Sequence, residues 1–108
     1  MFVATNRLRV KKDHGGELEQ RFGQPGEVGN QPGFISFELW KLDADEDFEE
    51  YLVVTHWDSE EAHNAWTRSE AFKQAHSGPP MDSILGHPEF KQYDICLSTD
   101  ATEEKASA

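Results

Sequence analysis

The sequence predicts an α+β domain in which an antiparallel sheet carries helices on one face. Four segments alternate apolar and polar residues as half-buried strands do, and the stretches between them have helical spacing and caps. These segments follow one another in the order β-α-β-β-α(α)-β. With 108 residues the chain can bury one core, and we place a single domain at residues 1–97.

The first strand, Phe2–Val10, has a polar residue on its apolar face. That face carries the residues Phe2, Ala4, Asn6, Leu8 and Val10. A buried amide costs free energy unless it finds hydrogen-bonding partners. The Asn6 side chain therefore either bonds nearby backbone in a structural role or points into a pocket toward a ligand, and the strand pattern leaves both open.

A helix, Asp13–Phe22, and a loop rich in Gly and Pro, Gly23–Gly33, lead to the second and third strands, Phe34–Leu42 and Tyr51–Trp57. Both strands carry large apolar side chains on both faces. Helices can cover one face, and so short a chain has little left to cover the other. This pattern predicts that a second copy packs on the open face, which makes the protein a homodimer.

The segment between these strands, Asp43–Glu50, has six acidic residues among eight. Calcium-binding loops typically have a turn-forming glycine and the EF-hand spacing, and this segment has neither. We interpret it as a solvated hairpin loop.

Two short helices in tandem are predicted between Asp58 and Pro80. Ser59 is a suitable N-cap for the first, and Thr67 with Glu70 forms a capping box for the second. The sequence Gly78-Pro79-Pro80 ends the second helix. Its inward face carries Ser69, Phe72, Ala75 and His76, and Trp66 lies where the two helices meet.

Trp66 and His76 are too far apart to bind one metal ion. On a single continuous helix they would be separated by about 15 Å along the axis. Both could contact one large flat ligand, with His76 at its centre and Trp66 against its surface. The ordinary alternative is a core tryptophan and a histidine that offsets the helix dipole.

A loop, Ser77–Pro88, and a last strand, Glu89–Leu97, complete the predicted domain, and the small polar residues 98–108 are predicted to be a disordered acidic tail. The order of elements is that of a ferredoxin-like, split β-α-β fold.

Charge and composition exclude several functions. The net charge of −11 argues against binding to nucleic acid and to anionic membrane surfaces. No apolar run approaches the roughly 20 residues of a membrane-spanning helix. A single cysteine, Cys96, rules out an internal disulfide and fits the reducing cytoplasm, where we expect the protein. Nucleotide-binding and zinc-ribbon motifs are absent from the sequence.

Four segments resemble the antibiotic-biosynthesis-monooxygenase superfamily and, within it, the IsdG-type heme-degrading monooxygenases. They are TNRLRVKK at 5–12, PGFISFEL at 32–39, EYLVVTHWDSEEAHNAWTRSEAFKQAH at 50–76 and LGHPEFKQYDI at 85–95. The family pattern is an Asn on the first strand, a Trp in the helical stretch and a His near the helix end. Asn6, Trp66 and His76 match all three.

The resemblance implies a dimeric α/β barrel with a heme pocket between sheet and helices in each protomer. Heme would be both cofactor and substrate, cleaved with O₂ and external electrons from an unidentified reductase to free iron and a linear tetrapyrrole. His76 would be the axial iron ligand. Asn6 would donate a hydrogen bond to oxygen on the opposite face, and Trp66 would press on the macrocycle. Phe72 would also contact the heme.

Other histidines and two other functions compete with this interpretation. We expect His63 on the exposed side of its helix, His87 in the loop before the last strand, and His56 in the core. Basic groups such as Arg7, Arg21 or Arg68 would be needed near the two heme propionates. A cofactor-free quinol-type monooxygenase would use Asn6 and Trp66 but has no need of His76. A heme-binding protein without turnover is the second alternative.

Overall fold

The strands and helices follow one another in the predicted order. The computed structural model describes residues 1–23, 27–43, 47–75 and 83–100. In this part of the chain the elements are β1 (Phe2–Lys11), α1 (Gly15–Phe22), a 3-10 turn (Glu27–Asn30), β2 (Phe34–Lys41), β3 (Phe48–Trp57), α2 (Glu60–Thr67), α3 (Glu70–Ala75) and β4 (Ile84–Asp94).

The four strands form one antiparallel sheet in the order β2-β3-β1-β4. β1 is central and pairs with β3 on one side and β4 on the other. This strand order with helical crossovers confirms the predicted α+β, ferredoxin-like fold. None of the described helices is long and apolar enough to cross a membrane.

The core on the helix-covered face of the sheet consists of two clusters. The α1 cluster joins Leu8 and Val10 of β1 to Leu18 of α1 and Tyr51 of β3. The tryptophan cluster joins three buried rings, those of Phe2, Trp57 and Trp66. β1 contributes to both clusters, because its helix-facing side chains run from one end of the sheet to the other.

Two strands begin earlier than predicted. β3 starts at Phe48, because residues 48–50 pair with Lys11, Val10 and Arg9 of β1. Glu49 and Glu50 of the predicted acidic loop therefore belong to the sheet, where they form ion pairs with Lys41 and Arg9. β4 starts at Ile84, opposite Val10, so the predicted loop is five residues too long at its C-terminal end.

The start of α1 and the register of β2 also differ from prediction. Asp13 has a φ of 68°, which is left-handed backbone, so α1 begins only at Gly15. β2 shifts register against β3 between Phe34 and Ser36. Because one residue is added there, Phe34 turns to the helix-covered face and packs on the tryptophan cluster, contrary to a strict alternation along this strand.

The break between α2 and α3 lies at Thr67 as predicted, but the capping residue is different. Ser59 caps α2 by accepting a hydrogen bond from the Ala62 backbone N–H at 3.1 Å. The cap of α3 is Ser69, whose Oγ accepts from the Phe72 backbone N–H at 3.1 Å. The Thr67 hydroxyl instead donates back to the carbonyl of Asn64, so the predicted capping box at Thr67 is wrong.

The start of α1 is fixed by a polar network against β3. The Tyr51 hydroxyl donates to Glu19 at 2.6 Å, and the Gly15 backbone N–H donates to Glu49 at 2.7 Å. Burial, together with the neighbouring Glu19 carboxylate, raises the pKa of Tyr51 well above its usual range, so the phenol stays a hydrogen-bond donor. A methyl group at Gly15 would collide with the Tyr51 hydroxyl and the Glu49 carboxylate.

Residues 76–82 and 101–108 lie outside the described residues. They include His76, Gly78, Pro79 and Pro80 of the predicted helix end, and most of the predicted tail. The disordered tail remains a prediction.

The two adjacent glycines of α1 provide a matched test of this packing. We expect Gly15→Ala to lower the free energy of unfolding by about 1–3 kcal/mol, because the new methyl group must displace a buried tyrosine. Gly16→Ala meets no atom within 4 Å and should stabilise the helix by about 0.5–1 kcal/mol. Urea denaturation of both variants measures the difference; equal stabilisation by both would contradict the packing described here.

Candidate functional site

Asn6 lies at the centre of β1, on the helix-covered face and between the two core clusters. Two residues before it, Ala4 packs against the tryptophan cluster, and two residues after it, Leu8 belongs to the α1 cluster. In the sheet, Asn6 stands opposite Val53 of β3 and Phe90 of β4. An amide thus occupies the gap between two apolar surfaces.

The Asn6 side-chain oxygen has no hydrogen-bonding partner. It is buried, yet no donor in the described part of the chain reaches it. A structural amide would have found a backbone group, since leaving a buried acceptor unsatisfied costs about 1–3 kcal/mol. Among the described residues, no hydrogen bond to this oxygen supports the structural role that the sequence left open for Asn6. The carboxamide can therefore bind a polar atom of a ligand.

Trp66 and Phe72 contact each other across the break between α2 and α3. Their rings meet edge to face, with centroids 5.4 Å apart. Trp66 is only 8% exposed and is clamped in the tryptophan cluster, while Phe72 packs on the margin of that cluster. Trp66 is therefore a core tryptophan, as the ordinary alternative predicted, and its indole is held rigidly by its neighbours.

His76, the third residue of the predicted triple, lies outside the described residues. It follows directly in the sequence after Ala75, the last residue of α3. The described elements therefore bring Trp66 and Phe72 together beneath α2 and α3, and place Asn6 on the neighbouring part of the sheet.

His63 does not lie on the exposed side of α2, contrary to expectation. Its ring is 5.2 Å from Phe2 and 5.6 Å from Trp57, between centroids, and its Nδ1 is buried with no partner among the described residues. The signal that we missed is the spacing of His63 and Trp66, three residues apart and therefore on one side of a helix. His63 is thus part of the wall behind Trp66.

The other two competing histidines lie away from this wall. His56 pairs with Val3 and Ser36 on the sheet face that the helices do not cover, so it is not part of the helix-side core. His87 is exposed and belongs to β4, where the register against β1 shifts, and not to a loop as predicted.

The arginines considered for the propionates have other surroundings. Arg7 lies on the uncovered face of the sheet and pairs with Glu89 at 2.7 Å, so it cannot reach a ligand beside Asn6 without crossing the sheet. Arg68 is at the exposed end of α2 and donates to the Asn64 carbonyl at 3.3 Å. Arg21 lies in the last turn of α1.

Trp66 also lines a cavity of about 200 Å³. Besides the indole, it is lined by Gln31, Pro32, Gly33, Asp58, Ala62 and Ala65. Ligand pockets for larger organic molecules usually have volumes of about 300–1,000 Å³. This cavity includes neither Asn6 nor Phe72, and we do not assign the functional site to it.

The chain is similar to known proteins over most of its length. The profile of the antibiotic biosynthesis monooxygenase family matches residues 1–78. A heme oxygenase (staphylobilin-producing) from Staphylococcus haemolyticus is 42% identical over 88 residues, which are 82% of this chain and 85% of that protein. A heme-degrading monooxygenase from Bacillus thuringiensis is 35% identical over 97 residues, 88% of this chain and 90% of that protein.

The solved structures include a heme-degrader with the same fold. It is MhuD from Mycobacterium tuberculosis with two hemes bound in its active site; the TM-score is 0.74 at 32% identity, over 93% of this chain and 100% of that one. The family profile covers most of the chain, and two relatives exceed 30% identity over more than two thirds of its length. The chain therefore belongs to the antibiotic biosynthesis monooxygenase family.

Proposed function

We propose that this protein is a heme-degrading monooxygenase that cleaves heme to free iron and a linear tetrapyrrole. The observation that carries the proposal is the unpartnered, buried amide oxygen of Asn6 between two apolar clusters. The relatives named as heme oxygenase or heme-degrading monooxygenase support it, as does the similarity to the heme-bound MhuD structure.

The described residues fit a heme. A porphyrin is a large apolar disc with a polar centre, and Asn6 lies between two apolar clusters, with the polar Gln92 nearby on β4. The unpartnered atom is an acceptor, so donation to an oxygen near the iron would come from Nδ2 of the same planar group. Bound at this face, heme supplies both the iron that activates O₂ and the carbon that is oxidised.

Each chain residue has a distinct role in the proposal. Asn6 would orient oxygen by hydrogen bonding in a site from which water is excluded. Trp66 would press on the macrocycle from its fixed position against Phe72, and distortion of the macrocycle is one way in which proteins alter heme reactivity. Phe72 would extend that apolar wall. His76 would supply an imidazole ligand to the iron. O₂ and the electrons come from outside, the latter from a reductase or a small-molecule donor.

His76 distinguishes this function from the cofactor-free alternative. A quinol-type monooxygenase of the same family would use an amide and a tryptophan but would have no need of an imidazole. The relatives at 42% and 35% identity are named for heme chemistry, which favours the heme reaction.

Replacing Asn6 should remove turnover while hemin binding persists. We expect Asn6→Ala to bind hemin with a Soret band close to that of the wild type, and bleaching with ascorbate in air to slow by about 10²–10³-fold, because one donor is lost from a low-dielectric site. Single-turnover absorbance measures the rate of bleaching.

The stability of a second Asn6 variant separates the catalytic role from a structural one. Since the buried oxygen has no partner, Asn6→Leu should unfold at the wild-type temperature or above it. A marked loss of thermal stability, combined with wild-type bleaching of whatever heme binds, would show that the amide is structural.

Replacing His76 should abolish the absorbance change that reports coordination of the heme iron. We expect His76→Ala to lose the Soret shift on hemin addition, since the imidazole bond to iron is gone. His63→Ala and His87→Ala are the controls and should keep the shift. If His76→Ala keeps the wild-type ferric spectrum, another histidine must be the iron ligand.

The uncovered face of the sheet supports a homodimer as part of the proposal. In the described residues, no helix packs there, and the face carries apolar side chains such as Leu52, Trp40 and Tyr93 beside the Arg7–Glu89 ion pair. Trp40 and Tyr93 are each about half exposed. An apolar sheet face of this kind is typical of surfaces covered in an assembly.

Sedimentation equilibrium tests the dimer. The wild type should have about twice the chain mass of 12.3 kDa at micromolar concentration. Trp40→Glu should weaken the association by at least about tenfold, because it buries an unpaired charge. Leu97→Glu is the matched control, since it makes the same charge change at a residue 86% exposed. A wild-type mass near that of one chain would contradict the dimer.

A further inference from the structure

The side chain of Phe90 is unusually exposed for its position in the sheet. It is 74% exposed on β4, although β4 pairs with the central strand along most of its length. Single exposed apolar residues are common on protein surfaces, and exposure alone does not indicate a binding site. The residues that surround Phe90 in the sheet are what suggest a binding role.

Phe90 stands directly opposite Asn6. The two residues are partners in the antiparallel register of β1 and β4, so their side chains project from the same face of the sheet, with Cβ atoms about 4.5–5.5 Å apart. On the other side of Asn6, Val53 of β3 packs against the α1 cluster. One row across the sheet thus contains a covered apolar group, an unpartnered amide and an exposed aromatic ring.

The rest of this face of β4 does not continue an apolar surface. Gln92 and Asp94, opposite Ala4 and Phe2, are polar. Toward the N-terminal end of β4, the register shift between Arg7 and Arg9 interrupts its pairing with β1. The exposed ring on β4 and the amide on β1 therefore lie side by side in the same row of the sheet.

We propose that Phe90 is a positioning residue for the porphyrin, packing on the macrocycle beside the polar contact of Asn6; this inference rests on the proposed function. A large ligand that forms a hydrogen bond with the Asn6 amide must lie on this row of the sheet. It would then also cover the neighbouring Phe90 ring. An aromatic ring gains both from losing exposure to water and from contact with another aromatic system. The substrate class is a flat, aromatic tetrapyrrole, and the contact is with its carbon framework and not with its iron.

Titrations with hemin and with iron-free protoporphyrin IX test this contact. Phe90→Ala should raise the dissociation constant of both ligands by a similar factor of at least about ten, because the lost contact does not involve iron. Phe90→Leu should restore most of the affinity, since it keeps apolar surface. Leu97→Ala, which removes a more exposed apolar side chain beyond β4, should bind both ligands as the wild type does.

Two results would overturn the inference. One is wild-type affinity of Phe90→Ala for protoporphyrin IX. The other is a lower sedimentation mass for Phe90→Ala, whatever its affinity, because the ring would then belong to a contact between two copies of the chain. Failure of the proposed function is a different result: in that case the wild type itself would give no Soret shift with hemin.

Discussion

The desolvated amide of Asn6 is the constraint on which the site depends. Its oxygen is buried without a partner among the described residues, at a cost of about 1–3 kcal/mol. Small domains have a total stability of only about 5–15 kcal/mol, so this cost is appreciable. An apolar side chain at this position would remove it and join the two clusters into one core. In the proposed function, the amide offsets this cost by providing a polar contact for the ligand.

The fold holds that amide in place from four sides. β1 is bonded to β3 and β4 on both sides, so the backbone at Asn6 cannot shift without breaking two ladders. The tryptophan cluster and the α1 cluster fill the space before and after it. Catalytic groups contribute most when they are positioned before the substrate arrives, and a central strand is a rigid support for one.

Local patterns predicted the fold and the placement of Asn6, because they depend on near neighbours in the sequence. Alternation along β1 placed Asn6 on the helix-covered face. The contact between Trp66 and Phe72 joins two separate helices, and helical spacing did not predict it. The starts of β3 and β4 were wrong because they depend on pairing with β1, which no local pattern encodes. The exposure of Phe90 and the missing partner of Asn6 are likewise properties of the assembled sheet.

The most direct measurement adds one equivalent of hemin to the wild-type protein, then ascorbate in air with catalase and a ferrous chelator present. Heme degradation predicts that the Soret band shifts on binding and then disappears. It also predicts that the chelator captures close to one iron per heme. A Soret band that shifts and then persists, with no iron released, would show a heme-binding protein without turnover. That result would contradict the central claim.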